Sequence, residues 1–93
     1  MLTRRRLDIF VAVCESGNMS KVAKDLLITQ SSVSQIILDI EKEYGVKLFE
    51  RLQNTLKLTN IGNEVYQAAK SVLEEYNKLD AVLNLNTNNN FIS

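Results

Sequence analysis

The sequence predicts a mostly α-helical fold, in which a two-stranded hairpin separates three short helices from one long C-terminal helix. Three observations support this order. Apolar residues recur at three- or four-residue spacing over residues 7–44, as on one face of a helix. Apolar and polar residues then alternate from Val46 to Leu58, as in strands. From Val65 to Leu83 the three-and-four spacing returns, and the 93 residues suffice for one small hydrophobic core.

Two short helices are predicted at the start of the chain. Thr3 is a suitable cap for the first, and Gly17-Asn18 provides the turn chemistry that ends it. Ser20 precedes residues 21–26, whose apolar side chains share one side. This segment is typical of a second helix of two turns.

A third helix, a hairpin and a fourth helix follow. Thr29 is a good cap for the third helix, which is predicted to end at Gly45. The alternating segment turns around a polar centre, Gln53-Asn54-Thr55. Thr59 caps the last helix, which should continue to about Leu83. The asparagine-rich residues 85–93 are then predicted to form a disordered tail.

The order of these elements is that of a winged helix-turn-helix, with the hairpin as a two-stranded wing. We predict that residues 1–60 form this domain. In such domains one helix enters the major groove of DNA, while the hairpin reaches along the backbone or the minor groove. The order by itself therefore indicates DNA binding.

The composition argues against enzyme chemistry. The chain has no histidine and a single cysteine, so the usual general base and a zinc ligand set are both missing. Cys14 lies in an apolar helical pattern and is predicted to be a buried structural thiol. No apolar run approaches the roughly 18 residues of a membrane span, and the first residues lack a signal-peptide pattern. We expect a cytoplasmic protein that is not an enzyme and has no cofactor or metal.

The charge balance is unusual for a protein that binds DNA. Eleven basic and eleven acidic residues give a net charge of zero, although phosphate neutralisation normally supplies much of the affinity for DNA. Residues 1–60 carry nine basic against seven acidic side chains, whereas residues 61–93 carry two against four. The predicted DNA-binding half is therefore only weakly positive.

Three blocks of sequence carry a family resemblance at matching separations. The blocks are residues 7–13 with Gly17, residues 23–41, and residues 45–51 followed by Leu58, Thr59 and Gly62. The Leu-Phe-Glu-Arg run before the hairpin and the Leu-Thr-x-x-Gly opening of the last helix are specific. The chain resembles the N-terminal DNA-binding domain and linker helix of bacterial LysR-type transcriptional regulators. The resemblance implies sequence-specific binding to double-stranded DNA.

Four polar residues of the third helix match positions that the family uses to read bases. They are Gln30, Ser31, Ser34 and Gln35. Many relatives have proline at Ser31 and arginine at Gln35, and arginine is the commonest reader of guanine. Because glutamine can present both amide groups to adenine, we expect a preference that leans towards A·T pairs.

Further contacts are expected to the DNA backbone. The candidates are Ser20, Lys21, Thr29, Ser32, Arg51 and Lys57. For Lys21 and Lys57 an ordinary solvated charge is an equally good interpretation. The wing tip, Gln53-Asn54-Thr55, lacks the arginine that relatives insert into the minor groove, so a light contact is expected there. Arg4, Arg5 and Arg6 are interpreted as a solvated first turn.

A coiled-coil seam runs along the last helix. Its members are Val65, Ala69, Val72, Tyr76, Leu79 and Leu83. The preceding domain is already complete at about sixty residues, so this helix outruns any core it could cover. We predict that residues 61–84 form a linker and dimerisation helix. The resulting homodimer should bind an operator that is an inverted repeat or nearly one.

Some alternatives stay open. In the family the linker helix leads to an effector-binding domain, and nothing after Asn84 could build one. The chain is therefore expected to be a fragment or a naturally short regulator, with an inducer relevant only to a longer protein. A protein-interaction module without DNA binding is the rival function, and the related molybdate-responsive regulators share a similar winged helix. Salt-dependent binding to duplex DNA would separate DNA binding from the first rival.

Overall fold

A computed structural model describes residues 2–53 and 55–92, with the side chains of residues 86–92 left out. The described residues form helices and strands in the predicted order. They are α1 (Arg4–Ser16), α2 (Met19–Leu26), α3 (Gln30–Tyr44), β1 (Phe49–Leu52), β2 (Thr55–Leu58) and α4 (Asn60–Ile92). The mostly α-helical winged helix-turn-helix predicted from the sequence is confirmed. Within this described part, no helix is both long enough and apolar enough to cross a membrane.

The ends of α1 and α3 lie where the capping residues predict. The Thr3 side chain accepts a hydrogen bond from the Arg6 N–H, and the Thr29 hydroxyl accepts one from the Ser32 N–H. Gly17 and Gly45 follow the two helices in the left-handed conformation, with φ of 69° and 65°. Each glycine directs its N–H back to a carbonyl of the last helical turn, which ends the helix.

Helix α2 begins earlier than the sequence analysis predicts. Asn18, which was assigned to the preceding turn, caps α2, because its side chain accepts a hydrogen bond from the Lys21 N–H at 3.1 Å. Ser20 therefore lies in the first turn of the helix. At the other end, Leu27 takes a left-handed conformation with φ of 59° and leaves 91% of its surface exposed. This conformation costs a non-glycine residue roughly 1–2 kcal/mol.

The core lies between the first three helices, the start of the wing and α4. Its buried members are Ile9, Phe10, Val11, Val13, Met19, Val22, Ala23, Val33, Ile37, Ile40, Leu48, Phe49 and Ala69. Phe10 of α1 meets Phe49 of β1 edge to face, with ring centroids 5.7 Å apart. Cys14 is partly buried, and burial raises the pKa of its thiol to about 12, in agreement with a structural role.

The wing is a short antiparallel hairpin in which Phe49 pairs with Leu58 and Glu50 with Lys57. β1 begins at Phe49, later than the alternation from Val46 predicts. The reason is the carboxylate of Glu41 on α3, which accepts hydrogen bonds from the N–H groups of Leu48 at 2.7 Å and Phe49 at 3.3 Å. Glu41 thus holds the chain before the hairpin against α3.

The other side of Leu48 contacts the start of α4. Its carbonyl accepts a hydrogen bond from the Thr59 N–H at 3.1 Å, and the Thr59 hydroxyl donates to the Lys47 carbonyl at 2.6 Å. The same hydroxyl accepts from the Gly62 N–H, which confirms the predicted cap. Gly62 is buried so close to the Leu48 carbonyl that a Cβ there would overlap the carbonyl oxygen. Only glycine permits this approach.

Helix α4 continues to Ile92, beyond the end predicted near Leu83. The backbone of residues 85–92 is helical here, whereas the sequence analysis predicts a disordered tail. Asparagine is a poor helix former, but no glycine or proline after Gly62 interrupts the helix. The long helix gives the described chain its elongated shape, with extents of 57 × 26 × 20 Å.

Replacing Gly62 with alanine tests the close contact with Leu48. We expect Gly62→Ala to lower the free energy of unfolding by about 1–3 kcal/mol, because the methyl group forces α4 away from the wing. Urea denaturation measures the change. Asn63→Ala alters the exposed neighbour on the same helix and should change stability by less than about 0.5 kcal/mol. Equal stability of the two variants would contradict this account of the junction.

Removing the Glu41 carboxylate tests the anchor of the wing. We expect Glu41→Ala to destabilise the fold by about 2 kcal/mol, because it leaves two part-buried N–H groups without their acceptor. Glu41→Gln, which keeps one acceptor, should lose less. Amide hydrogen exchange should accelerate at Leu48 and Phe49 more than elsewhere. Unchanged protection of these two amides would show that Glu41 does not hold the segment.

Candidate nucleic-acid interface

The predicted base-reading residues lie on the side of α3 that is turned away from the core. Gln30, Ser31 and Gln35 are exposed, and Ser34 is half-buried. The opposite side of the helix buries its apolar residues, which are Val33, Ile37 and Ile40. The 3.6-residue period therefore brings the four polar side chains together on one accessible surface. We call this surface, Gln30, Ser31, Ser34 and Gln35, the polar face of α3.

Both glutamines of the polar face are held by neighbouring side chains. The Ser20 hydroxyl donates to Gln30 Oε1 at 2.9 Å, which joins the first turn of α2 to the first turn of α3. Gln35 Nε2 donates to the Asp39 carboxylate at 2.8 Å, one helical turn further along α3. The sequence analysis assigns Ser20 to a phosphate and does not single out Asp39. The i, i+4 spacing of Gln35 and Asp39 is the signal that could have identified this pair.

The start of α3 offers hydrogen-bond donors for a phosphate. Thr29 and Ser32 are exposed, and their hydroxyl oxygens lie 2.8 Å apart. The first backbone N–H groups of a helix have no acceptor within the helix, and the helix dipole adds a partial positive charge there. The two hydroxyls and the helix start form one polar cluster beside the polar face of α3.

The charged candidates have neighbours that compensate part of their charge. Lys21 Nζ lies 3.0 Å from the Asp25 carboxylate on the exposed side of α2. Lys57 stands opposite Glu50 in the hairpin register, and both side chains are exposed. Each of these two lysines therefore has a carboxylate neighbour, so neither presents an uncompensated positive charge to DNA.

The wing brings Arg51 towards the helix-turn-helix. Its guanidinium lies 3.9 Å from the Met19 sulfur at the start of α2. Arg51 and Ser34 line the same open groove of about 580 Å³ between α3 and the hairpin. At the wing tip, Gln53 is exposed with a positive φ of 56°, and the Thr55 hydroxyl donates to the Leu52 carbonyl. Asn54, the third residue assigned to the tip, lies outside the described residues.

The first turn of α1 is less solvated than expected. The Arg4 guanidinium stacks 4.2 Å from the centre of the Tyr76 ring and donates to Asn77 Oδ1, so it contacts α4. Arg6 forms an ion pair of 3.6 Å with Glu43 near the end of α3. Two of the three arginines interpreted as a solvated cluster therefore join α1 to other helices.

A second contact between α1 and α4 lies further along α1. The Tyr66 hydroxyl donates to the Glu15 carboxylate at 3.0 Å, and this hydrogen bond raises the pKa of Tyr66. Together with the Arg4 contacts, it fixes the direction in which α4 leaves the domain.

The predicted seam of α4 is divided between the core and the surface. Ala69 leaves only 3% of its surface exposed and Val65 packs against the core, so these two residues serve the chain's own fold. The assignment of Ala69 to an intermolecular seam is therefore wrong for this chain. The same three-and-four spacing describes both roles, and only the packing of α1 on α4 distinguishes them.

The rest of the seam is exposed and has additional members. Val72, Tyr76, Leu79 and Leu83 leave between 43% and 57% of their surface exposed. Ile61 and Val82, which the sequence analysis does not include, are also exposed at 39% and 54%. We call Val72, Leu79, Val82 and Leu83 the apolar stripe of α4. Exposed apolar side chains grouped on an otherwise polar helix are typical of an interaction site.

The described side chains include no group of three or more cysteine, histidine, aspartate or glutamate residues placed to hold a metal ion. The acidic residues near the interface are used in pairs with neighbouring donors, as with Asp25 and Asp39.

Comparisons with known proteins agree with this geometry. Residues 4–63 match the family described as bacterial regulatory helix-turn-helix protein, lysR family. The chain is 31% identical over 81 residues to the HTH-type transcriptional activator CmpR of Synechocystis, which covers 87% of this chain and 27% of CmpR. The chain thus spans about a quarter of the length of the curated relatives it matches.

Two solved structures of similar chains contain DNA. A BenM DBD in complex with catB site 1 DNA superposes with a TM-score of 0.83 at 33% identity, covering 87% of this chain and 91% of that one. A CbnR DBD–DNA complex superposes with a TM-score of 0.79 at 32% identity, covering 85% and 91%. The match over residues 4–63 and these superpositions establish that the chain belongs to the LysR family of bacterial helix-turn-helix regulators.

Proposed function

We propose that the chain binds double-stranded DNA in a sequence-specific manner, as a dimer on an operator that is an inverted repeat or nearly one. The observation that carries this proposal is the polar face of α3, where Gln30, Ser31, Ser34 and Gln35 lie together on an accessible helix surface. Glutamine amides and serine hydroxyls are suited to the edges of bases in the major groove. The BenM and CbnR chains that superpose on this one were solved with DNA, which supports the same use here.

The surroundings of α3 supply contacts for the DNA backbone. At the helix start, the hydrogen bond between the Thr29 and Ser32 hydroxyls leaves one of their two protons for a phosphate, and Ser20 on α2 would donate to a phosphate in place of Gln30. Arg51 adds a cation on the wing side of the groove that Ser34 also lines. Contacts of this kind fix the register of the protein on the duplex, while the glutamines and serines of α3 carry the sequence information.

Dimerisation provides the affinity that charge does not. The chain has no net charge, and Lys21 faces Asp25, so few phosphates can be neutralised by one domain. Joining two such domains turns the second binding step into an intramolecular one, which multiplies weak affinities. The apolar stripe of α4 is the surface through which two copies would associate, and a two-fold axis between them implies an inverted repeat.

The function in the cell follows from the family. CmpR and the other relatives are regulators of transcription, and we propose the same role for this chain rather than that of an enzyme. As a bacterial regulator of this kind it would act in the cytoplasm, on chromosomal DNA. If the chain is part of a longer regulator, the small-molecule inducer would bind outside the residues present here.

Substituting Gln30 and Lys57 tests sequence reading on α3 against backbone contact on the wing. Gln30→Ala should cost about 1–3 kcal/mol on the best site selected from randomised duplexes and much less on random DNA, because the side chain reads a base edge. Lys57→Ala should weaken both kinds of duplex alike, because a phosphate contact carries no sequence information. Fluorescence anisotropy at several salt concentrations measures both effects. The slope against salt should be modest for a chain with no net charge.

Three results would count against this assignment. Equal losses on selected and random DNA for Gln30→Ala would show that Gln30 does not read a base. A preference for G·C pairs at the half-site cores would contradict the expected lean towards A·T. No binding to any duplex at low salt would favour the rival function, a protein-interaction module.

Placing a charge in the apolar stripe tests the dimer. Leu79→Asp should shift the chain to monomers in sedimentation experiments, because a carboxylate cannot be buried against a second apolar helix without a large cost. The far-ultraviolet circular dichroism should stay helical. Gln67→Asp, which adds the same charge at an exposed position of α4 outside the stripe, should remain dimeric. A Leu79→Asp dimer as stable as the wild type would place the interface elsewhere.

A further inference from the structure

We propose that Asp39 is a specificity-determining residue that acts through Gln35, by holding the Gln35 amide with its carbonyl oxygen directed away from Asp39 and towards the bases. The proposal rests on the proposed function, because it concerns how the polar face of α3 reads a sequence. It adds a positioning residue that lies outside that face, one helical turn beyond Gln35.

Gln35 and Asp39 are joined by one direct hydrogen bond. Gln35 Nε2 donates to Asp39 Oδ1 at 2.8 Å, a short distance for a hydrogen bond between an amide and a carboxylate. Gln35 is exposed and Asp39 is half-buried, so the aspartate is the better-fixed partner. The two residues are four positions apart on α3, where side chains of a helix meet.

The chemistry of the pair permits one orientation of the amide. A carboxylate only accepts hydrogen bonds, so the NH₂ group of Gln35 must face Asp39, and the reverse orientation would bring two oxygen acceptors together. The pair formed by Ser20 and Gln30 imposes no such restriction, because a hydroxyl can donate or accept. The amide of Gln30 can turn over without losing its partner, whereas the amide of Gln35 cannot.

A fixed orientation has a consequence for base recognition. With one N–H engaged by Asp39, Gln35 offers its carbonyl oxygen and its remaining N–H as a pair in one fixed order. Adenine matches both through its N6 amino group and N7, and cytosine matches the carbonyl through its N4 amino group. Guanine O6 and thymine O4 would face the carbonyl oxygen with another acceptor. We therefore expect Gln35 to favour adenine, to tolerate cytosine and to reject guanine and thymine.

The test measures the preference at a single base pair. The preferred site is selected from randomised duplexes, and the base pair read by Gln35 is identified as the one whose preference Gln35→Ala removes. Wild-type protein should bind duplexes with adenine there more tightly than duplexes with guanine or thymine. Asp39→Ala should reduce this ratio about five-fold, because the freed amide can turn over and donate to the O6 or O4 acceptor. The loss of a negative charge affects all duplexes alike and cancels in the ratio.

A control and a rescue separate positioning from a general effect. Asp80→Ala removes an exposed carboxylate from α4 and should leave the ratio unchanged. The double variant Asp39→Ala with Gln35→Glu should restore discrimination against guanine and thymine, because a glutamate presents acceptors in either orientation. A merely structural role of Asp39 would not be rescued in this way.

The outcomes distinguish this proposal from the proposed function. If the wild type binds its site with a preference and Asp39→Ala leaves the ratio unchanged, the positioning role of Asp39 is overturned while the proposed function stands. The same holds if Gln35→Ala alters the preference at no base pair. Failure of the wild type to bind any duplex at low salt overturns both.

Discussion

The backbone of Leu48 is held from two sides, and the placement of three elements depends on it. Its N–H donates to the Glu41 carboxylate on α3, and its carbonyl accepts from the Thr59 N–H at the start of α4. Gly62 packs against the same carbonyl. Because Leu48 is also buried in the core, none of these contacts can shift alone. Helix α3, the wing and α4 are therefore joined at one point of the backbone.

This junction also determines which residues of α4 face the core. The rotation of the helix about its axis is set where Gly62 touches Leu48 and where Arg4 stacks on Tyr76. With that rotation, Ala69 is buried while Leu79 is exposed, although both belong to one regular seam in the sequence. A turn of α4 about its axis by one residue, about 100°, would carry Ala69 away from the core. The apolar stripe is thus a product of the fold as much as of the helix itself.

The parts of the fold that follow from local chemistry were predictable from the sequence. Caps such as Thr29 and Thr59 satisfy backbone groups within their own turn, so their position in the chain identifies the helix starts. The later start of β1 was not predictable, because it depends on a hydrogen bond from the Leu48 N–H to the side chain of Glu41 near the end of α3, which the alternation of apolar and polar residues does not indicate. The polar face of α3 followed from helical spacing, but its partner Asp39 becomes evident only when the side chains are placed.

The length of α4 amplifies small changes in its direction. Its 33 residues span about 50 Å, and the contacts described between α4 and the rest of the domain extend only as far as Asn77. About 15 residues project beyond Asn77, so a change of about 10° in the direction of α4 at that point would move its far end by roughly 4 Å. The close contact of Gly62 with Leu48 and the stacking of Arg4 on Tyr76 therefore limit how far the direction of α4 can vary relative to the rest of the domain. Because a small change in helix direction displaces the end of α4 by several ångströms, the contacts of Gly62 and Arg4 determine where that end lies relative to the domain.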